Sequence, residues 1–383
     1  MTGFGELYFP AFGLLLGASP FQVGLLTTVP ILCGSAAQLL APRAAHRMGD
    51  KRFVVLAAVA QALLFAAIGW LALATTGDRY AALLVGVALY WGLALGINPV
   101  WNAWMGRMVP PVARSRFFGR RAAAAGSDWG AASGFVAVFA LAGLSRLVSA
   151  RFLAVQHDPR HGPPPPRPRL LAVVRGLRGR PYGRLIALLV LMMGAVHISA
   201  AYFPPYMLQR LGLSYAEYTI LNAAVLLSRI ASSAYWGEVA RRHGNRRALQ
   251  VAGTLLVPLA GLWAISDQFL YLVALQVLAG FAWAGFELAT VLTLFDATRD
   301  EERAGALSLY TLLNGVAIVV GSLLGGSILR WLGSAGYPAI FLLSTTLRGV
   351  ILASLARGVG VRRDGEHRFR RVFVEVISFG RAS

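Results

Sequence analysis

Of the 383 residues, 57% are apolar and only 14% are charged, and mean hydropathy is +0.62. A soluble domain of this length would carry more charge, so the composition points to an integral membrane protein. The net charge of +20 is almost all arginine, in short segments between apolar runs. That placement excludes nucleic-acid binding as its source and fits cytoplasmic loops that obey the positive-inside rule. The one cysteine, Cys33, excludes a disulfide framework and a cysteine-based metal site.

The apolar runs are continuous rather than alternating, so they predict membrane-spanning helices and not a barrel. The first, Phe4–Leu16, is short and contains Glu6. It starts almost at Met1 without a basic flank, so no cleavable leader is expected. Next come Phe21–Ala41, ending at Pro42, then Phe53–Thr75, then Tyr80 to about Trp104 with Asn98-Pro99 inside it. A basic loop holds Arg107, Arg114, Arg116, Arg120 and Arg121, and Trp129–Ser145 is the following run. A polar, arginine-rich stretch with Pro163–Pro166 leads to six more runs: Leu185–Leu208, Tyr218–Tyr235, Ala248–Ser266, Phe269–Phe295, Ala304–Leu329 and Ala339–Ala356. The reading is an all-α protein with about 11 spans. It has an N-terminal bundle over 1–150, a cytoplasmic linker over 151–184, a six-helix bundle over 185–357 and a basic tail over 358–383.

Loop charge sets orientation. Arg43/Arg47/Lys51/Arg52, Arg114–Arg121, the central linker, Arg241/Arg242/Arg246/Arg247 and the tail are expected on the cytoplasmic side of a cytoplasmic membrane, with both termini there. One interval breaks the alternation. A single clear span lies between the basic loop at Arg121 and the basic linker at Arg151, yet both flanks read as cytoplasmic. One helix is missing from the first half, just before Trp129, and Ala122–Asp128 reads as its remnant.

The chain also matches itself. Residues 17–52 align without a gap to 212–247, an offset of 195 positions. Gly17 faces Gly212, Ser19 faces Ser214, Gly49 faces Gly244, and Lys51-Arg52 faces Arg246-Arg247. Repeated halves in an apolar chain are the mark of a transporter built from internal repeats. The paired segments Pro42–Arg52 and Gly237–Arg247 resemble the loop motif of the major facilitator superfamily, Gly-x-x-x-Asp-Arg-x-Gly-x-Arg/Lys-Arg/Lys. Arg47, Gly49, Lys51 and Arg52 keep it in the first copy; Gly237, Arg242, Gly244, Arg246 and Arg247 keep it in the second. Pro42 replaces the first Gly, and His46 and Arg241 stand where the family has Asp.

The resemblance implies two pseudo-symmetric helical bundles that rock around a central site, giving secondary active transport of a small solute. It implies a monomer among membrane lipids, with a small-molecule substrate, a proton as candidate coupling ion, and no cofactor, metal or nucleic-acid partner. In the family the motif's Asp pairs across the bundle to hold one access state, so here that state needs another support.

An ionisable residue inside a span is costly unless paired or hydrated, which makes each one a candidate. Glu287, in the run equivalent to a cavity-lining helix of the family, is the leading candidate for a coupling carboxylate. Arg229, eight residues before Gly237, is its candidate counter-ion or an anion-binding group. His197 titrates near neutral pH if it is accessible. Glu6 is either a cavity carboxylate or a group reaching for the interface. Asn98, Trp101 and Asn102 form a polar-aromatic patch beside a proline, suited to lining a cavity or anchoring at the interface. Arg348 reads as a brace in a peripheral helix. No phosphate loop, metal spacing or activated nucleophile is present, so a binding protein and not an enzyme is expected. The alternative is a degenerate family member that serves as a structural or assembly module without transport.

Overall fold

The computed structural model describes residues 6, 8–73, 78–108, 131–155, 181–298, 300–358 and 376, and among the described residues all regular structure is helical. Helices satisfy every backbone polar group within the segment, which hydrocarbon demands. In chain order these are α1 (Phe9–Leu15), α2 (Pro20–Met48), α3 (Asp50–Trp70), α4 (Arg79–Met108) and α5 (Ala131–Val155). Then follow α6 (Pro181–Ala200), α7 (Tyr215–His243), α8 (Asn245–Leu256), α9 (Leu259–Leu262), α10 (Phe269–Ala297), α11 (Asp300–Leu332) and α12 (Gly336–Gly358). Six described stretches are long and apolar enough to cross a membrane, and one of them, Ala306–Ser354, contains most of both α11 and α12.

The repeat is written in the backbone. α2 and α7 are both 29 residues long, and their ends differ by the same offset of 195 positions. Each stops at a glycine with positive φ, +87° at Gly49 and +89° at Gly244, whose N–H donates to the carbonyl four residues back. Only glycine adopts that conformation readily, so the turn between α2 and α3 recurs between α7 and α8. At the other end of α2, Ser19 and Gln22 form a reciprocal capping box.

Several boundaries differ from the sequence reading. Pro42 does not end α2; the helix runs on to Met48, because one lost N–H is tolerated when the surrounding turns persist. α4 likewise stays helical through Asn98-Pro99. α5 continues to Val155, beyond the Ser145 end read from the apolar run. The run from Ala248 is broken: α8 stops at Leu256, and α9 resumes after Pro258, which has no N–H to donate. The position assigned to the missing helix, including Ala122–Asp128, lies outside the described residues.

The contacts divide the chain into two compact units. One comprises Met1–Arg167, Ala201–Tyr215 and Thr311–Arg330. Its core is an aromatic cluster in which Phe9 of α1 meets Phe65 of α3, Tyr90 of α4 and Phe139 of α5 at ring-centroid distances of 5.8, 5.7 and 5.6 Å. The other comprises Pro168–Ala200, Ala216–Tyr310 and Trp331–Ser383. There α7 packs on α10 through Trp236, whose indole N–H donates to the Phe281 carbonyl at 2.8 Å.

Replacing Gly49 or Gly244 by Ala is expected to cost about 1–3 kcal/mol through backbone strain, since open space surrounds both positions. Gly237→Ala, in a helix interior with nothing near the new methyl, is expected to be neutral or stabilising. Thermal unfolding of the detergent-solubilised protein checks this. Equal midpoints for all three variants would contradict it.

Candidate functional site

Each unit holds a charged grouping that joins segments distant in sequence. In the first, Glu6 is buried, with its side chain 1% exposed. It accepts hydrogen bonds from the Tyr90 hydroxyl and, at 3.0 Å, from Nη2 of Arg146. The same Nη2 donates to the Tyr90 oxygen at 2.6 Å, and the guanidinium lies 5.7 Å from the centre of the Tyr90 ring. Phe9 and Phe65 pack against that ring, with Phe139 stacked on both of them, and keep water away. A dry carboxylate needs such compensation, so Arg146 and Tyr90 are what allow Glu6 to be buried.

Neither partner was singled out by sequence. Arg146 stands one residue past the end drawn for its apolar run and was assigned no role. The signal that would have found it is the run's continuation through Leu147, Val148, Phe152 and Leu153. Tyr90 is one hydroxyl in an apolar run and carries no signal of its own.

The second grouping joins two predicted candidates. Arg229 of α7 donates through Nη2 to Oε2 of Glu287 on α10. Their helices meet closely because Gly280 offers no side chain where the Val225 carbonyl and Ser228 approach. The Ser228 hydroxyl donates to the Val277 carbonyl at 2.6 Å and fastens the same crossing. This pair is open: the side chains are 30% exposed at Arg229 and 52% at Glu287. Glu287 lies ten residues before the end of α10, about 15 Å along the axis from it.

The remaining candidates stand apart. His197 turns Nδ1 back to the Met193 carbonyl, 2.9 Å away on its own helix. Arg348 is 3% exposed and donates to the carbonyls of Leu256 and Val196 and to Ser199 Oγ. Leu256 is the last residue of α8, so Arg348 caps a helix end at the Pro258 break. Asn98, Trp101 and Asn102 lie on α4, but their side chains are outside the described residues. Among the described residues no cluster of His, Cys, Asp and Glu could hold a metal ion.

At the basic turns, Arg47, Arg52, Arg242 and Arg246 are exposed, while Lys51 and Arg247 are half-buried. In the second copy Glu238 receives Arg241 Nε at 2.8 Å and Arg242 Nε at 2.5 Å. Asn245 donates to Asp296 at the end of α10 at 2.7 Å. Hydrogen bonds from Arg241 and then Arg242 pull the Glu238 carboxyl down to about 2.

Membrane-length helices, a backbone repeat and ion pairs held inside the helices define a multi-pass membrane protein of the transporter class. Comparison with known proteins agrees. The chain belongs to the Major Facilitator Superfamily, whose model matches residues 2–221 and 184–373. Among curated relatives, it is 27% identical to Arabidopsis thaliana Protein ZINC INDUCED FACILITATOR 1 over 175 residues, 43% of this chain and 35% of that protein. It is also 27% identical to human Solute carrier family 67 member A1 over 191 residues, 46% of this chain and 45% of that protein. The chain thus matches less than half the length of either relative. Among solved structures, the fold resembles a mutant of the nucleoside transporter NupG (TM-score 0.69, 12% identity, 92% of this chain and 94% of that one). It also resembles a D-xylose-proton symporter (TM-score 0.65, 14% identity, 92% of each chain).

Two consequences can be measured. Arg146→Ala removes the cation beside a buried carboxylate and is expected to cost about 3–5 kcal/mol, while Arg229→Ala, at an open pair, costs under about 1 kcal/mol. Unfolding midpoints of the two variants check the ranking. The Glu238 pairing is expected to stabilise the fold fully above the unfolded carboxyl value of 4.5, and to fade as pH falls toward about 2. The stability gap between the parent and Glu238→Gln, followed from pH 7 to 2, should therefore close on the acid side. A gap that widened there would reverse the sign.

Proposed function

We propose that the chain moves a small solute across a cytoplasmic membrane by secondary active transport, with Glu287 carrying a coupling proton and Arg229 its counter-ion. The observation that carries this reading is the half-exposed ion pair well inside a span. A charge at that depth facing lipid would cost several kcal/mol, so the exposed face of Glu287 is read as water-lined. The Arg229 guanidinium occupies the carboxylate; a proton or a cationic solute group competes with it and releases it. Two bundles, residues 1–150 and 185–357 joined by a cytoplasmic linker, would rock to expose the site to each side in turn. The positive loops put both termini in the cytoplasm. The substrate is a small molecule, and the working form is a monomer.

The alternative, a family member without transport, draws on the single apolar run between Arg121 and Arg151, where the repeat calls for two. Proteoliposomes decide between them. A solute panel beginning with nucleosides and D-xylose, the solutes named for the structural neighbours, is offered under an imposed pH gradient. Uptake is expected to fall at least tenfold when the gradient is dissipated, and Glu287→Gln should lose that gradient dependence while keeping solute exchange. Uptake indifferent to the gradient would overturn proton coupling. An inert chain across a broad panel would favour the structural reading.

A further inference from the structure

We propose that Tyr202 is a latch that ties the ends of α2 and α11 on the low-charge side, and so sets how often the transporter opens there. The inference rests on the transport reading above, including the assignment of that side as external. Tyr202 follows the end of α6, and its hydroxyl donates to the Ser322 carbonyl of α11 at 2.6 Å. Ser322 Oγ, 3.3 Å from the same hydroxyl, donates in turn to the Gly24 carbonyl of α2 at 3.3 Å. One short relay thereby links three segments: α2 from the first half of the sequence repeat, and the segment after α6 and α11 from the second.

The slot that receives the tyrosine is made by two glycines. A Cβ on Gly24 would overlap the Tyr202 oxygen and lie 2.8 Å from ring atom Cζ. A Cβ on Gly326 would overlap the same oxygen and lie 2.8 Å from Phe21 Cδ2. The slot is also dry: Tyr202 and Ser322 are each 1% exposed and Thr28 beside them is fully buried.

The location fits a gate. Gly24 lies in the second turn of α2, Gly326 lies two turns before the end of α11, and Tyr202 is two residues past α6. All three therefore sit toward the ends opposite the basic turns. The joint is uncharged, and each neutral hydrogen bond contributes modestly, so it can break and reform within a transport cycle. A salt bridge in so dry a slot would resist that. The tight slot supplies registry: the ends close only when the ring is seated.

The test uses the full chain in lipid nanodiscs with Cys33 replaced by Ser and nitroxide labels at Leu73→Cys and Ser334→Cys, both exposed on the low-charge side. Pulsed electron–electron resonance reads the separation without any substrate. The parent should show mainly the short separation. Tyr202→Phe removes one hydroxyl and should shift the ratio about fivefold toward the long separation. Gly326→Ala fills the slot and should shift it more than tenfold. Distributions superimposable on the parent in both variants, with the labels reporting a folded protein, would overturn the latch. A shift accompanied by inert proteoliposomes would leave the latch standing and sink the transport reading instead. Labelling of whole cells with an impermeant maleimide at Ser334→Cys identifies the side, and protection from outside would overturn the external assignment.

Discussion

Hydrocarbon offers no hydrogen bonds, and nearly every feature of this protein answers to that constraint. Backbone groups are satisfied within helices, and side-chain charges survive only with partners or water. The two charged groupings answer it in different ways. Glu6 is enclosed by an arginine, a tyrosine hydroxyl and a shell of aromatic rings, which leaves it no access to water. Glu287 has a single arginine and an open side. An enclosed pair suits architecture; an open one suits exchange of a proton or a ligand.

The same constraint explains the third polar node. Pro258 breaks a membrane helix and frees backbone carbonyls, and a break of this kind is tolerated only where something replaces the lost bonds. Arg348 does so, with its guanidinium against the Leu256 and Val196 carbonyls. The cation donates to backbone carbonyls in two helices, α8 and α6, and to the Ser199 hydroxyl. Likewise the turn motif keeps its geometry through Gly49 and Gly244 even though the family's Asp is absent. In the second copy Glu238 gathers the arginines locally, and Asn245 ties the start of α8 to Asp296.

Much of this was legible in the chain. Continuous apolar runs mark helices because a span needs about 20 residues without charge. The offset of 195 positions predicted that α2 and α7 would share length and termini, since the capping serine and the turn glycine recur with it. Helix ends were less legible. Pro42 looked like a stop but lies inside α2, and Arg146 falls past the end drawn for its apolar run but lies inside α5. A single residue's propensity is weak against the packing of a whole helix.

By itself the sequence determined the class, the repeat and the short roll of charges available for chemistry. These depend on composition and periodicity, which are local properties. Only the tertiary structure decided which charge meets which: Glu6 with Arg146 across 140 positions, Arg229 with Glu287 across 58, and Tyr202 with Ser322 across 120. Partner choice is set by where helices cross, and crossings are set by small residues such as Gly280 and Gly24 that let backbones or rings approach. No local pattern records a crossing, so burial, exposure and pairing emerge only when the helices are assembled.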